Sequence, residues 1–185
     1  MIAAIGIVTL TSMSGIQARA ATIYADRVVP LQQLKVVADA YAVAIVDNVH
    51  KVRAGTVTHE DGANTIRKAR TTIDSAMKVY SSTWLTDEEK GLLAKATLTT
   101  ETANRAIDRA LVLLDTRDAG GLSAFAEHEL YPAIDPVSSD ITALIDLQVR
   151  VAGEEYAAAT ASLTSLRLLF LVGIPVIILL CIGLA

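Results

Sequence analysis

The sequence has few aromatic residues, little proline and one cysteine, and each shortage argues against a class of protein. Only 4% of the 185 residues are aromatic, with 4 prolines and 10 glycines. Sandwiches and barrels need aromatic and β-branched residues between frequent turns, so an all-β fold is disfavoured. The lone Cys181 can form no disulfide within the chain. A positive excess is also lacking: the net charge of −4 is the opposite of what nucleic-acid binding requires.

Charged residues are missing from both ends of the sequence. Residues 1–18 and 168–185 contain none, and each run approaches the roughly 20 apolar residues that cross a bilayer as a helix. We therefore expect two transmembrane helices, 1–18 and 168–185, around an extramembrane domain, 19–167. The first run is alternatively a cleaved signal peptide, because Ala18-Arg19-Ala20 fits a cleavage pattern, but the usual basic segment ahead of it is lacking. A truncated start would explain that lack.

Between these runs, apolar residues recur every three or four positions, which is typical of amphipathic helices. Alanine-rich sequence with few turn residues favours helix as well. The pattern predicts a first helix that ends at Gly55 and a second helix from His59 to Tyr80. It predicts a third helix after Thr86, which forms a capping box with Glu89.

The remaining sequence predicts a short helix and a fourth long one. The third helix is expected to end at the Gly120-Gly121 pair, and the short helix to cover Leu122–Leu130. Asp135 and Pro136 predict the start of the fourth helix, as its N-cap and its first residue. Four antiparallel helices with short connections form an up-down-up-down bundle. The predicted fold class is therefore all-α, an antiparallel four-helix bundle flanked by two transmembrane helices.

The first helix carries two neighbouring apolar stripes, which indicates two packing surfaces. The first stripe predicts the bundle core and contains Tyr24, Leu31, Leu34, Ala38, Tyr41, Ile45, Asn48 and Val52. The second stripe predicts a contact with a second copy of the chain, through the candidate dimer residues Val36, Val43, Asp47 and His50.

The turn at Ser81–Leu85 would lie at the end of the bundle that faces the membrane runs, because the helices alternate in direction. Trp84 and Tyr80 suit a membrane interface at that position. Packing in the core explains these two aromatic residues equally well.

Two stretches resemble a known family. Residues 24–31, continued by 39–47 and 50–55, resemble the first helix of the four-helix-bundle ligand-binding domains of bacterial methyl-accepting chemotaxis receptors, and 130–137 is similar to the same family. The resemblance implies a periplasmic sensor domain anchored in the bacterial inner membrane. It implies a homodimer that binds a small molecule such as an organic acid and signals through its second membrane helix. The implied partners are a cytoplasmic histidine kinase and a coupling protein, reached through a C-terminal region beyond Ala185.

Two further functions fit the same architecture. The input domain of a membrane sensor histidine kinase or nucleotide cyclase would look alike, because the module that distinguishes them would follow Ala185. A membrane-anchored bundle without a ligand is the third interpretation. The sequence has no phosphate-binding loop, nucleophile elbow or zinc-ligand spacing. We therefore expect no enzyme activity and no cofactor in this segment.

Three histidines near the distal end raise the question of a metal site. His50, His59 and His128, with Glu127 and Glu129 beside the last, supply imidazole and carboxylate groups that bind transition metals. Their spacing lacks the close ligand pairs of a metal site, and the consecutive Glu-His-Glu residues point in three directions on a helix. Solvated polar residues are the preferred interpretation, and no metal is expected.

Polar residues on the apolar stripes predict the ligand site. Arg70 is in step with Ile66 and Ile73 on the second helix, and residue counting brings part of each helix to one height. A guanidinium, hydroxyls and amides in one layer could clamp a small carboxylate. The candidate ligand-binding residues are Tyr41, Asn48, Arg67, Arg70, Thr97, Thr100, Asn104, Tyr131 and Ser138.

Alternatives to that layer stay open. Arg70 could pair in the core with Glu101 or Asp135, or extend its charged head to solvent. The dimer face is a second candidate location, because related receptors bind ligand between subunits through arginines. This sequence offers Lys51 and Arg53 there instead, which makes transfer of an amino-acid specificity doubtful.

Overall fold

The computed structural model describes residues 24–168 and Leu171, and no β-strand occurs within them. Five helices account for most of this sequence: α1 Tyr24–Arg53, α2 His59–Ser81, α3 Asp87–Asp115, α4 Ala119–His128 and α5 Leu130–Leu168. The predicted all-α bundle of four long helices with one short helix is confirmed. The chain divides into two compact units, one over Val28–Val149 and one that combines its first 27 residues with those from Arg150 onward.

The core of the larger unit follows the predicted stripe of α1. From Leu34 onward that stripe is buried, except for the half-buried Ala38, whereas Tyr24 at its start is 63% exposed. Val36 and Val43 of the second stripe are 36% and 57% exposed, so they lie outside the core. The two stripes of α1 therefore have the different environments that their spacing predicts.

Two stretches of α1 are π-helical, Tyr24–Val28 and Ala40–Asp47. The first lies immediately before the turn that contains Pro30, whose ring removes one backbone donor. π-Helical turns are rare and occur frequently at functional sites. The second stretch contains Tyr41, a predicted site residue.

The capping box at the start of α3 is confirmed. The Thr86 hydroxyl accepts a hydrogen bond from the Glu89 backbone N–H at 3.2 Å, and the Glu89 carboxylate accepts one from the Thr86 backbone N–H at 2.6 Å. Tyr80, just before this turn, is fully buried, which agrees with core packing. Trp84 is 67% exposed, so the core does not account for it.

Two buried carboxylates connect α3 with α5, a link that the sequence analysis did not anticipate. Glu89 is 1% exposed and accepts a hydrogen bond from the side-chain amide of Gln148. Asp140 is 2% exposed, accepts a hydrogen bond from the Thr99 hydroxyl at 2.9 Å, and lies 2.8 Å from the Lys95 ammonium. Because each buried acid has a polar partner, its desolvation is compensated.

Three predicted helix boundaries are wrong. α3 ends at Asp115 rather than at the glycine pair, because Arg117 already adopts a left-handed conformation with φ of 55°. Asp118 then caps α4 by accepting from the Gly121 N–H at 2.8 Å, so α4 begins before Leu122. α5 begins at Leu130, and Pro136 lies inside it.

The position of Pro136 has a simple energetic explanation. It lies in the second turn of α5, where proline removes one hydrogen bond and usually disfavours helix. The adjacent residues Ile134 and Val137 are buried at 2% and 0% exposure. Burial of such side chains contributes about 1.5–3 kcal/mol each, so tertiary packing outweighs the local preference for a helix start at Asp135.

In the smaller unit, Arg27 is 4% exposed and its Nε donates to a Glu155 carboxylate oxygen at 3.1 Å. Arg150 forms a second ion pair with Glu154 at 3.0 Å, one turn along α5. These pairs give the buried Arg27 and the exposed Arg150 a carboxylate partner each.

One helix among the described residues, α1, is long and apolar enough to cross a membrane, with a mean hydropathy of 1.3. A core helix of a bundle meets the same criteria, and the buried side chains of α1 form such a core. The predicted transmembrane helices, 1–18 and 168–185, lie outside the described residues except for Leu168 and Leu171.

α1 and α2 are in close contact at Gly62. The side-chain amide of Asn48 donates to the Gly62 carbonyl at 2.9 Å, and Asn48 is 5% exposed. A Cβ added at Gly62 would overlap the Cγ2 methyl of Val52. An alanine here would force Val52 to shift, so glycine is favoured at this contact, and the Asn48 hydrogen bond ties the two helices together there.

We predict that Gly62→Ala lowers the free energy of unfolding by about 1–3 kcal/mol, because the new methyl overpacks the crossing. The matched control is Gly91→Ala in α3, where an added Cβ meets nothing within 4 Å. That substitution should raise the free energy of unfolding by about 0.5–1 kcal/mol through helix propensity. Thermal unfolding of the detergent-solubilised chain, followed by circular dichroism, compares the two. Equal effects would show that the crossing is not tight.

Candidate functional site

The arginines predicted to clamp a ligand are each paired with an aspartate of α3. Arg70 donates to Asp108, and Arg67 donates to both carboxylate oxygens of Asp115 at 2.7 Å. Neither Glu101 nor Asp135 is the partner of Arg70, so both predicted pairings are wrong. The side chains of Arg70 and Asp108 are 36% and 59% exposed, and exposed pairs of this kind contribute about 0–1 kcal/mol.

Tyr41, unlike the exposed and paired arginines, is a buried polar residue. It is 1% exposed, and its hydroxyl has no hydrogen-bond partner of ordinary geometry among the described residues. Burial raises the pKa of Tyr41 above its usual 10.0, a hydrogen-bond interaction with the Thr100 side chain, outside ordinary geometry, lowers it, and the Asp74 charge raises it further. An unsatisfied buried hydroxyl costs about 1–3 kcal/mol.

Residue spacing connects these groups into one surface, which we call the polar seam: Tyr41, Arg70, Asp74, Thr100, Asn104 and Asp108. On α3, Thr100, Asn104 and Asp108 follow one another at intervals of four, so they share a helix face. Arg70 and Asp74 have the same spacing on α2. Asp74 and Asp108 were missed by the sequence analysis, although this repeated spacing of polar residues was the available signal.

Other predicted ligand residues lie elsewhere. Thr97 is exposed and donates back to the Leu93 carbonyl at 2.8 Å. Asn48 is engaged with Gly62 at the helix crossing. Ser138 is half-buried on α5. The structure does not bring these three side chains into the polar seam.

Tyr131 and His50 meet at the distal end. The Tyr131 hydroxyl lies 3.1 Å from His50 Nε2, and the two rings are 5.8 Å apart at 32°. Tyr131 was predicted as a ligand residue and His50 as a dimer residue. The two residues contact each other, although they were predicted for different surfaces. Asp47, another predicted dimer residue, pairs with Lys51 at 2.6 Å.

The histidines do not form a metal site within the described range. No group of three or more potential ligands from His, Cys, Asp and Glu occurs there. Glu127 accepts from Arg53 at 3.5 Å and from Ser123 at 3.4 Å, which is the behaviour of a solvated polar residue.

Comparison with known proteins places the bundle in a family. The model of a four-helix-bundle sensory module for signal transduction matches residues 1–163. The chain belongs to this family of sensory modules. The sensory module is also 38% identical over 154 residues to the methyl-accepting chemotaxis protein NahY of Pseudomonas putida. That match covers 81% of this chain and 29% of the relative's length, so the chain spans less than a third of that protein. No solved structure matches.

We predict that Tyr41→Phe raises the free energy of unfolding by about 1 kcal/mol, because it removes a buried hydroxyl that makes no hydrogen bond of ordinary geometry. Tyr80→Phe is the matched control, since Tyr80 is equally buried but its hydroxyl accepts from Gln148 at 3.5 Å. That change should lower the free energy of unfolding by about 0.5–1.5 kcal/mol. Chemical denaturation of both variants measures the difference.

The pH dependence gives a second readout of the same prediction. Tyr41 has a raised pKa in the folded module, whereas an unfolded tyrosine titrates near 10. Its contribution is therefore fully present below about pH 10 and is lost as pH rises through the folded pKa. Tyr41→Phe should remove this alkaline loss. A variant that is less stable than the wild type at neutral pH would contradict the assignment of an unpartnered hydroxyl.

Proposed function

We propose that the module is the periplasmic input domain of a transmembrane chemoreceptor, and that it binds a small organic acid at the polar seam. The observation that carries this proposal is the Tyr41 hydroxyl, which is buried and, beside Thr100, makes no hydrogen bond of ordinary geometry in the described part of the chain. A ligand that supplies a hydrogen-bond acceptor would satisfy it. The ligand would thereby recover free energy that the unliganded module loses.

An organic acid fits the seam because Arg70 can change partners at small cost. Its pair with Asp108 is solvent-exposed and worth about 0–1 kcal/mol. A ligand carboxylate that replaces Asp108 keeps a charge-assisted hydrogen bond to the guanidinium. The ligand's remaining polar atoms would face Thr100 and Asn104, which are both half-buried.

Asp74 sets a limit on the ligand. Its carboxylate is exposed but close enough to raise the pKa of Tyr41, and it would repel a second negative charge placed beside the tyrosine. We therefore expect one carboxylate on Arg70 and a neutral acceptor on Tyr41. A hydroxy acid or keto acid meets this requirement better than a compact dianion.

The family supports a proposal for placement and partners. A homodimer in the inner membrane, with its sensor in the periplasm, would signal through the second membrane helix to a cytoplasmic histidine kinase and coupling protein. The name of the relative, a methyl-accepting chemotaxis protein, favours this output over a sensor kinase or cyclase. The long helix α5, Leu130–Leu168, ends at the residue where the predicted second span begins in the sequence.

We predict that a hydroxy acid such as lactate stabilises the detergent-solubilised chain against heat, whereas lactamide does not. With a Kd of about 10 µM and 1 mM ligand, the gain is about 2.7 kcal/mol. Arg70→Gln and Tyr41→Phe should each abolish the shift. The control is Arg105→Gln, because Arg105 is exposed on α3 and donates only locally, to Thr102 at 2.8 Å.

The panel should extend to other hydroxy and keto acids, each tested with its amide. Stabilisation that survives both Arg70→Gln and Tyr41→Phe would place the acid outside the seam. Absence of stabilisation by every acid would favour the bundle without a ligand.

We further predict that Val36→Glu combined with Val43→Glu leaves the chain monomeric, because two charges would enter the proposed contact between α1 helices. Val112→Glu is the matched control, since Val112 is 54% exposed but lies on α3. Sedimentation of the detergent-solubilised chain measures the mass. Two variants with the same mass as the wild type would contradict this dimer surface.

A further inference from the structure

The two arginine–aspartate pairs between α2 and α3 differ in how completely each uses its arginine. Arg67 donates to both carboxylate oxygens of Asp115 at 2.7 Å and to the Asn64 side chain at 3.3 Å. Arg70 donates through one nitrogen to one oxygen of Asp108. A guanidinium carries five N–H donors, so most donors of Arg70 have no acceptor in the described part of the chain.

The arginine with fewer hydrogen bonds is the better shielded of the two. The side chain of Arg70 is 36% exposed, whereas that of Arg67 is 48% exposed. Asp108, the partner of Arg70, is 59% exposed, so water can solvate its carboxylate if the pair opens. The anion at Arg70 is therefore one that the protein can release without burying an unpaired charge.

A second acid lies near Arg70 without pairing to it. Asp74 follows Arg70 by four residues on α2 and shares its helix face, but within residues 24–168 the ion pair of Arg70 is with Asp108. A ligand carboxylate on Arg70 would use the donor that Asp108 now occupies, so the two carboxylates exclude each other there.

We propose that Asp108 is a built-in competitor of the ligand, which holds Arg70 in the unliganded module and must leave before an acid binds. This inference rests on the proposed function, the binding of an organic acid at the polar seam. The apparent Kd equals the intrinsic Kd divided by the fraction of module that is competent to bind. An exposed pair worth about 0–1 kcal/mol therefore raises the apparent Kd about two- to sixfold.

The arrangement sets the working range of the sensor. Competition by Asp108 moves the half-saturation point to a higher concentration of acid than the seam would otherwise have. The Arg67–Asp115 pair lies outside the seam, so it would keep joining α2 to α3 while Arg70 changes partners. One pair thus serves the packing of the helices and the other tunes affinity.

The test measures the Kd of lactate for the detergent-solubilised full chain by isothermal titration calorimetry. Asp108→Asn removes the charge but keeps the shape of the side chain, and it should lower the Kd about two- to sixfold. Asp108→Ala should have the same effect, because the amide is not needed. Arg70→Gln should abolish binding, alone or combined with Asp108→Asn.

Two control variants remove a different negative charge from α3. Asp115→Asn breaks the other arginine–aspartate pair, and Glu101→Gln removes an exposed acid next to Thr100. Both should bind lactate with the Kd of the wild type, because neither change releases Arg70.

Salt provides a second readout. In the wild type one exposed ion pair replaces another, so added NaCl should change the Kd little. In Asp108→Asn the ligand forms a new ion pair, so screening by NaCl should weaken its binding.

Equal Kd values for the wild type and Asp108→Asn, with binding still lost in Arg70→Gln, would overturn this inference and leave the proposed function intact. An equal gain in Asp115→Asn or Glu101→Gln would overturn it as well, because removal of any negative charge would then suffice. If neither lactate nor another acid of the panel binds the wild type or Asp108→Asn, the proposed function fails and this inference fails with it.

Discussion

The close crossing of α1 and α2 at Gly62 determines where the other features of the bundle lie. Asn48 holds the Gly62 carbonyl at 2.9 Å, so the antiparallel helices cannot slide past each other without losing a buried hydrogen bond. Two helical turns from that contact, Tyr41 comes level with Ala69. This register puts the Tyr41 hydroxyl near Asp74 of α2 and Thr100 of α3.

The polar seam contains both an arginine that has an ion-pair partner and a buried tyrosine whose hydrogen bonding is incomplete. Its arginine has a carboxylate partner, but the pair is exposed and weak, whereas the buried tyrosine makes no hydrogen bond of ordinary geometry with the described residues. A receptor site needs this combination, because the ligand must gain more than the groups it displaces lose. The π-helical stretch of α1 that contains Tyr41 is consistent with a backbone adapted to this function.

Helix periodicity and capping were sufficient to predict the bundle, because both depend on residues close in sequence. The stripe from Leu34 to Val52 and the Thr86–Glu89 box are examples. The partners of Arg70 and Asn48 were not predictable, since each depends on the register between helices. A one-turn error in residue counting exchanges Asp108 for another polar residue of α3. The predicted start of the fourth helix at Pro136 was wrong for a related reason. The burial of Ile134 and Val137 outweighs the preference of proline for the first turn of a helix.

The most direct measurement of the central claim is the ¹³Cζ chemical shift of Tyr41 in the chain labelled at its 5 tyrosines, with the signal assigned by Tyr41→Phe. The shift responds to hydrogen bonding at the phenol oxygen. We predict that lactate, or another acid found to stabilise the chain, moves the Tyr41 signal and leaves that of the buried Tyr80 in place. An acid that binds and stabilises the chain without moving the Tyr41 signal would contradict the account.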